Sequence, residues 1–160
     1  MFLKRCRRGF TLVEIMTVVA IIGILAVVSI AYLIRARMNA NEGAVKLDLR
    51  TFSSACESYR SAQNLSLYPE DMDALTAPAT GPAYLDDSWV DGQKKHGFTM
   101  TFLSVPENSY SLLATPSLNN GINTFCIDQS GVIYSSTANG AATIPEGNVT
   151  GCVGGTPLGG

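Results

Sequence analysis

The sequence predicts an α+β fold, in which one long N-terminal helix packs on a small antiparallel β-sheet. The first observation is an apolar run at residues 10–34 that continues into helical periodicity up to about residue 63. The second is a set of short β-forming runs, separated by turn residues, between residues 97 and 135. Short strands that follow one helix are typical of an α+β domain, and 160 residues leave room for one domain.

The apolar run from Phe10 to Ile34 contains no Pro, Lys or Arg, and its only charged residue is Glu14. A helix of this length measures about 37 Å, which exceeds the roughly 30 Å hydrocarbon core of a bilayer. The run therefore predicts a transmembrane helix. Four basic residues precede it and favour a cytoplasmic N-terminus: Lys4, Arg5, Arg7 and Arg8. Arg35 and Arg37 flank the other end and weaken that inference.

Glu14 lies one helical turn inside the apolar run, where an uncompensated charge is unfavourable. In one interpretation, the carboxylate simply reaches the lipid headgroup layer. In the other, a cation is brought to it. A cut between Gly9 and Phe10 would create an α-amino group four residues away, charged at neutral pH because its reference pKa is about 7.7–8.0. Since the intervening turn separates the two groups within one helix, the second interpretation predicts pairing between staggered subunits.

Residues 9–26 read GFTLVEIMTVVAIIGILA and closely resemble the N-terminal signature of type IV pilins and type II secretion pseudopilins. The resemblance implies that a prepilin peptidase removes residues 1–9 after Gly9 and that Phe10 is then N-methylated. It also implies that Glu14 pairs with the Phe10 amine of a neighbour during assembly. The implied partners are copies of the chain, other pilin-like subunits, the peptidase, an inner-membrane assembly platform and the bilayer.

The resemblance places the subunit in the bacterial inner membrane before assembly and in a periplasmic or cell-surface filament afterwards. Many major pilins carry Pro eight residues after the glycine that matches Gly23, where this sequence has Ala31. That difference favours a pseudopilin or a minor pilin, although the sequence alone does not separate a pilus from a secretion pseudopilus. The alternative function is a membrane-anchored binding module that does not polymerise and keeps residues 1–9.

Beyond Ile34 the helix is predicted to continue as an amphipathic segment of an exported head at residues 35–160. An apolar stripe recurs at spacings of 7, 4, 3, 4 and 3: Met38, Val45, Leu49, Phe52, Cys56 and Tyr59. This stripe predicts a helix face that packs on the head. The helix is expected to end near residue 63, with Asn64 as a candidate cap.

The head is predicted to contain a loop, a sheet and an irregular tail. Residues 64–96 read as loop with one short helical segment, for which Pro69 suits the first helical position. Residues 97–135 predict four antiparallel strands, with strong turns at 119–121 and 129–131. Residues 136–160 are rich in Gly, Ala, Thr and Asn, so we expect a tail without regular structure.

Of the four cysteines, Cys6 lies in the leader and Cys56 lies on the apolar stripe. Cys126 and Cys152 lie in the exported part, where an oxidising compartment favours a disulfide between them. Such a bond would tether the tail to the sheet and stabilise the head by about 3 kcal/mol. The pairings of Cys56 with Cys126 or with Cys152 remain alternatives, because spacing does not fix connectivity.

Charge and motifs give little support to an enzyme or a nucleic-acid-binding protein. Without the leader, the chain has seven basic and thirteen acidic residues, a net charge of −6, and its one basic patch is Lys94-Lys95-His96. The sequence contains no serine elbow, HExxH or phosphate-binding glycine loop, and it suggests no cofactor. Asp86, Asp87 and Asp91 are either calcium ligands, as the corresponding region is in some pseudopilins, or a solvated acidic loop. The spacing is not that of an EF-hand and favours the solvated loop.

Overall fold

A computed structural model describes residues 9–63, 67–105, 109–137 and 151–158. It contains helix α1 (Leu12–Ala62), a short helix α2 (Asp73–Thr76) and six strands. The strands are β1 (Lys94–Lys95), β2 (Phe98–Val105), β3 (Ser109–Pro116), β4 (Asn123–Asp128), β5 (Ile133–Thr137) and β6 (Thr156–Leu158). The predicted α+β class is confirmed. The chain divides into two compact units, residues 1–36 and residues 37–160.

The first unit contributes the apolar part of α1. Its helix has a mean hydropathy of 2.7 in the most apolar window, which is long and apolar enough to cross a membrane. The hydroxyls of Thr17 and Ser29 donate to the carbonyls of Glu14 and Leu25, at 2.9 and 2.8 Å. These polar groups are therefore satisfied within the helix itself, as an apolar environment requires.

The second unit is built around the predicted apolar stripe of α1. Val45, Leu49, Phe52 and Cys56 are completely buried, whereas Met38 and Tyr59 are only partly buried. The Phe52 ring lies at the centre of the core and contacts three further rings, with centroid distances of 5.5 to 5.9 Å: Trp89, Phe102 and Tyr110. The stripe therefore packs as predicted, against the loop and the strands β2 and β3.

All six strands are antiparallel, and their order in the sheet is their order in the chain. The prediction of four strands was too low. β1 lies in the segment predicted as loop, and β6 lies in the tail predicted as irregular. The turn between β1 and β2 is made by His96 and Gly97, both with positive φ (49° and 79°), a two-residue hairpin geometry. β6 pairs with β5 over three residues.

The start of α2 differs from the prediction. Pro69 does not open the helix; it is fully buried in the core, next to the buried Tyr68. The helix begins at Asp73, and the Asp71 carboxylate accepts a hydrogen bond from the Ala74 N–H at 2.8 Å. The apolar contact of Pro69 therefore outweighs its preference for the first helical position. The predicted cap Asn64 lies outside the described residues.

Candidate functional site

The candidate processing site precedes α1. Gly9 and Phe10 lie outside regular structure, and Phe10 is 83% exposed. A Cβ atom built on Gly9 would meet no atom within 4 Å, and Gly9 does not have a positive φ. The fold therefore does not require glycine at position 9, and a residue with a side chain would fit there. Both residues that form the Gly9–Phe10 bond are exposed.

Glu14 caps the helix that follows. The Thr11 N–H and the Thr11 hydroxyl both donate to Glu14 Oε2, at 2.8 and 2.9 Å, and the Glu14 N–H donates to Thr11 Oγ1 at 3.2 Å. This reciprocal arrangement is a capping box, with Thr11 as the N-cap. The second carboxylate oxygen, Oε1, has no hydrogen-bond partner within residues 9–63. Sequence reasoning missed the box, although the Thr-x-x-Glu spacing is readable from the sequence.

The apolar part of α1 is uncovered along its whole length. Each large apolar side chain between Phe10 and Ile34 is at least half exposed, and the most apolar window of the helix is entirely unburied. So extended an apolar surface marks a helix that is covered by lipid or by other proteins. A capped carboxylate at the start of such a helix is thus the central feature of the site.

Two comparisons with known proteins bear on this arrangement. A family model described as a prokaryotic N-terminal methylation motif matches residues 4–30. The type II secretion system core protein G of Klebsiella michiganensis is 30% identical over 129 residues, which are 81% of this chain and 88% of that protein. The chain belongs to the pilin and pseudopilin family. No solved structure gives a comparable match.

As a member of this family, the chain is a structural subunit of a pilus or pseudopilus. Pilins and pseudopilins assemble with other pilin-like subunits. The function of such a molecule therefore depends on its contacts with neighbouring subunits. The exposed apolar helix is consistent with membrane anchoring before assembly and with a filament afterwards. Surfaces that remain available on the head are therefore candidate contact surfaces.

The pilin-like head contains the disulfide Cys126–Cys152, with Cα atoms 5.9 Å apart. Cys56, which the two alternative pairings required, is a free and buried thiol, and this burial raises its pKa. The tail has a second attachment, because Asp128 accepts hydrogen bonds from the Cys152 N–H at 3.0 Å and from the Ser130 N–H at 2.9 Å. The disulfide thus joins a segment that is also fixed by hydrogen bonds.

The acidic residues considered as calcium ligands, Asp86, Asp87 and Asp91, are all exposed, and two of them accept hydrogen bonds from different residues. Asp91 accepts the Phe102 N–H at 2.8 Å, so it connects the loop to β2. Asp86 accepts the Ser88 N–H at 2.8 Å, and hydrogen bonds from Ser88 hold the pKa of Asp86 below its ordinary value. Within the described ranges, no three or more His, Cys, Asp or Glu residues are grouped so that they could hold a metal ion.

Two contacts of α1 in the head were not foreseen. Glu42 is only 9% exposed and accepts hydrogen bonds from Ile122, the last residue before β4, and from Asn123, the first residue of β4. His96 Nε2 lies 3.4 Å from Asp48 Oδ2, while the His96 side chain remains 49% exposed. No local sequence pattern predicts either contact, because the partners lie 48 to 81 residues apart in the chain.

Proposed function

We propose that this chain is a subunit of a type II secretion pseudopilus-like filament. In this proposal a prepilin peptidase cuts after Gly9, Phe10 is N-methylated, and Glu14 sets the register between neighbouring subunits. The N-terminus faces the cytoplasm and the head lies outside it. The methylation motif and the name of the Klebsiella relative support this choice. The partners are copies of the chain, other pilin-like subunits, the peptidase and the assembly platform.

The observation that carries the proposal is the uncovered apolar helix that begins with a capped carboxylate. Lipid covers such a helix while the subunit waits in the membrane. In a filament, the same side chains are covered by the helices of neighbouring copies. A single chain has no described group that neutralises Glu14, whereas an assembled filament brings a second N-terminus close to it.

The capping box leaves Glu14 Oε1 available for that second N-terminus. Oε2 is occupied by Thr11, so a neighbour's Phe10 ammonium is expected to approach the other oxygen. Among apolar side chains an ion pair costs less than a lone carboxylate, provided that its geometry is good. Pairing therefore favours one stagger of two helices over others that pack equally well.

Two substitutions separate the charge of Glu14 from its capping role. Glu14→Gln keeps an oxygen that accepts the Thr11 N–H but removes the charge, and Glu14→Val removes both. Both variants should be inserted and processed normally, and both should reduce the sheared filament fraction in the native host at least several-fold. Normal filaments from Glu14→Gln would show that Glu14 acts only as a helix cap.

Intact-mass analysis of the same material tests the processing steps. The mature chain should begin at Phe10 and carry one methyl group. A Gly9→Val variant should keep its leader while the head folds normally, because the fold does not require glycine there. A wild-type chain that still begins at Met1, with no filaments, would favour the membrane-anchored binding module instead.

A further inference from the structure

A groove of about 420 Å³ lies on the exposed face of α1 in the head. It is lined by Arg50, Thr51, Ser54, Ala55, Ser58 and Tyr84, which we call the basic groove. The hydroxyls of Thr51 and Ser58 donate to carbonyls of the helix, at 3.0 and 2.8 Å. The Arg50 side chain is exposed and forms no ion pair with any other residue in the described part of the chain. Its guanidinium is the one charge in this groove.

Two other cations of α1 in the head, Lys46 and Arg60, contact aromatic residues. The Lys46 ammonium lies 4.9 Å from the centre of the Phe125 ring. The Arg60 guanidinium donates to the Tyr68 hydroxyl at 2.9 Å. Arg50 differs from these two residues because it lines a groove and its side chain is exposed to solvent.

A second groove, of about 440 Å³, has the opposite charge. It is lined by Glu70, Asp71 and Asp73 together with Tyr59, Pro78 and smaller residues, and we call it the acidic groove. Residues 63–93 contain six acidic residues and no Lys or Arg, so no cation from this segment neutralises it. None of its three carboxylates forms an ion pair with a residue that the structure describes.

The two grooves lie next to each other on the head but do not neutralise each other. Tyr84 lines the basic groove and Tyr59 lines the acidic groove, and these two rings pack edge to face at 5.7 Å. Along α1, Arg50 precedes Tyr59 by nine residues, a helical rise of about 13 Å. A copy shifted along the helix axis by a comparable distance would bring its Arg50 to the axial height of the Tyr59 that lines its neighbour's acidic groove.

We propose that the basic groove of one copy docks on the acidic groove of the next copy in the filament. The proposal rests on the filament function proposed above. A filament that grows without closing needs two different, complementary surfaces on each subunit, and the two grooves meet that need. Charge pairing of this kind fixes register and orientation, and it weakens as salt increases.

A charge swap tests the docking in the native host. Arg50→Glu should leave the amount of processed monomer unchanged and reduce the sheared filament fraction several-fold. The wild-type filaments should become less stable as the salt concentration rises. Lys94→Glu makes the same charge change on the exposed strand β1 and should assemble normally. Adding Asp73→Arg to Arg50→Glu should recover most of the filaments. Filaments from Arg50→Glu equal to those of the wild type would overturn the docking.

Cross-linking tests the direction of the contact. Ser54→Cys in the basic groove and Ala79→Cys in the acidic groove leave Arg50 and Asp73 in place. A chain with both changes, treated as sheared filaments with a short bis-maleimide, should give a ladder of dimers, trimers and higher multimers. Either single variant should give no ladder, since each surface meets a different one, and Cys56 is buried. Dimers from Ser54→Cys alone, or filaments of the double variant without a ladder, would overturn the pairing. A wild type that forms no filaments would instead overturn the proposed function itself.

Discussion

At the scale of single residues, Glu42 connects helix α1 to the connection between β3 and β4. Its Oε1 accepts the N–H groups of Ile122 and Asn123 at 2.8 and 3.1 Å, and its Oε2 accepts the Asn123 side-chain amide at 3.1 Å. The neighbouring Asn41 donates to the Asn120 carbonyl at 3.1 Å. One carboxylate thus satisfies three donors where this connection enters β4, one from Ile122 and two from Asn123.

Glu42→Ala should lower the free energy of unfolding by about 1–3 kcal/mol, because the partly buried donors of Ile122 and Asn123 lose their acceptor. Glu42→Gln keeps an acceptor oxygen and should cost less. Urea unfolding in detergent, followed by the fluorescence of the buried Trp89, measures both. Asp87→Ala removes an exposed carboxylate and serves as the control. Equal losses for all three variants would contradict this role.

The same carboxylate should make the stability of the head depend on pH. Burial raises the pKa of Glu42, but the hydrogen bonds from Ile122 and Asn123 and the nearby Lys46 ammonium outweigh it, so the pKa lies below its ordinary value. A depressed pKa stabilises the folded state above pH 4.5, the ordinary value, and this contribution is lost as the pH falls towards the lower one. The unfolding free energies of the wild type and of Glu42→Gln should therefore converge below pH 4.5. A difference that stays constant down to pH 3 would contradict the linkage.

At the scale of elements, β6 depends on contacts that are distant in sequence. Its approach to β5 requires Gly155, which has a φ of 84° and on which a Cβ would lie 2.8 Å from the Ser135 carbonyl oxygen. The disulfide and the Asp128 hydrogen bond hold the chain just before it. Three residues are too few to show the alternation of apolar and polar side chains that marks a strand. The contacts that hold β6 come from distant residues, so the sequence did not predict this strand.

Replacing Cys126 and Cys152 by Ser should lower the free energy of unfolding by about 3 kcal/mol, since the cross-link restricts the unfolded chain over 26 residues. Reduction of the wild type should cause a similar loss. Urea unfolding by Trp89 fluorescence gives the value, and limited proteolysis should release residues 151–158 first. A loss below 1 kcal/mol would show that the hydrogen bonds alone hold the tail.

Sequence reasoning succeeded where periodicity or a local motif determines structure. The stripe of α1 and the paired strands β2–β3 and β4–β5 follow from local pattern, and so does the long helix. The motif also locates the candidate site at Gly9, Phe10 and Glu14, and the roles of these residues stay predictions. The Glu42 connection and the two grooves depend on residues brought together from distant segments, which no local pattern encodes.

At the scale of the whole molecule, the head is expected to fold without the first unit. Its core cluster begins at Val45, and its partly buried contacts end at Leu158, so every member lies in residues 37–160. A fragment that begins at Arg37 should be soluble, because the uncovered apolar helix is removed. Its far-UV circular dichroism and its cooperative urea unfolding should report a folded α+β domain. An aggregated fragment with no cooperative transition would contradict this expectation.

The strand order of the sheet also bears on how the head is made. In the proposed orientation the N-terminus stays in the cytoplasm and the head emerges from β1 onwards. Since every strand pairs with the one before it, the head can add each strand as it emerges. Before β6 pairs, the edge of β5 is unpaired and open to pairing with other chains. β6 covers that edge, and the Cys126–Cys152 bond secures it there. We therefore expect thiol oxidation to complete the head during export, when a slow oxidant would leave the edge open to aggregation.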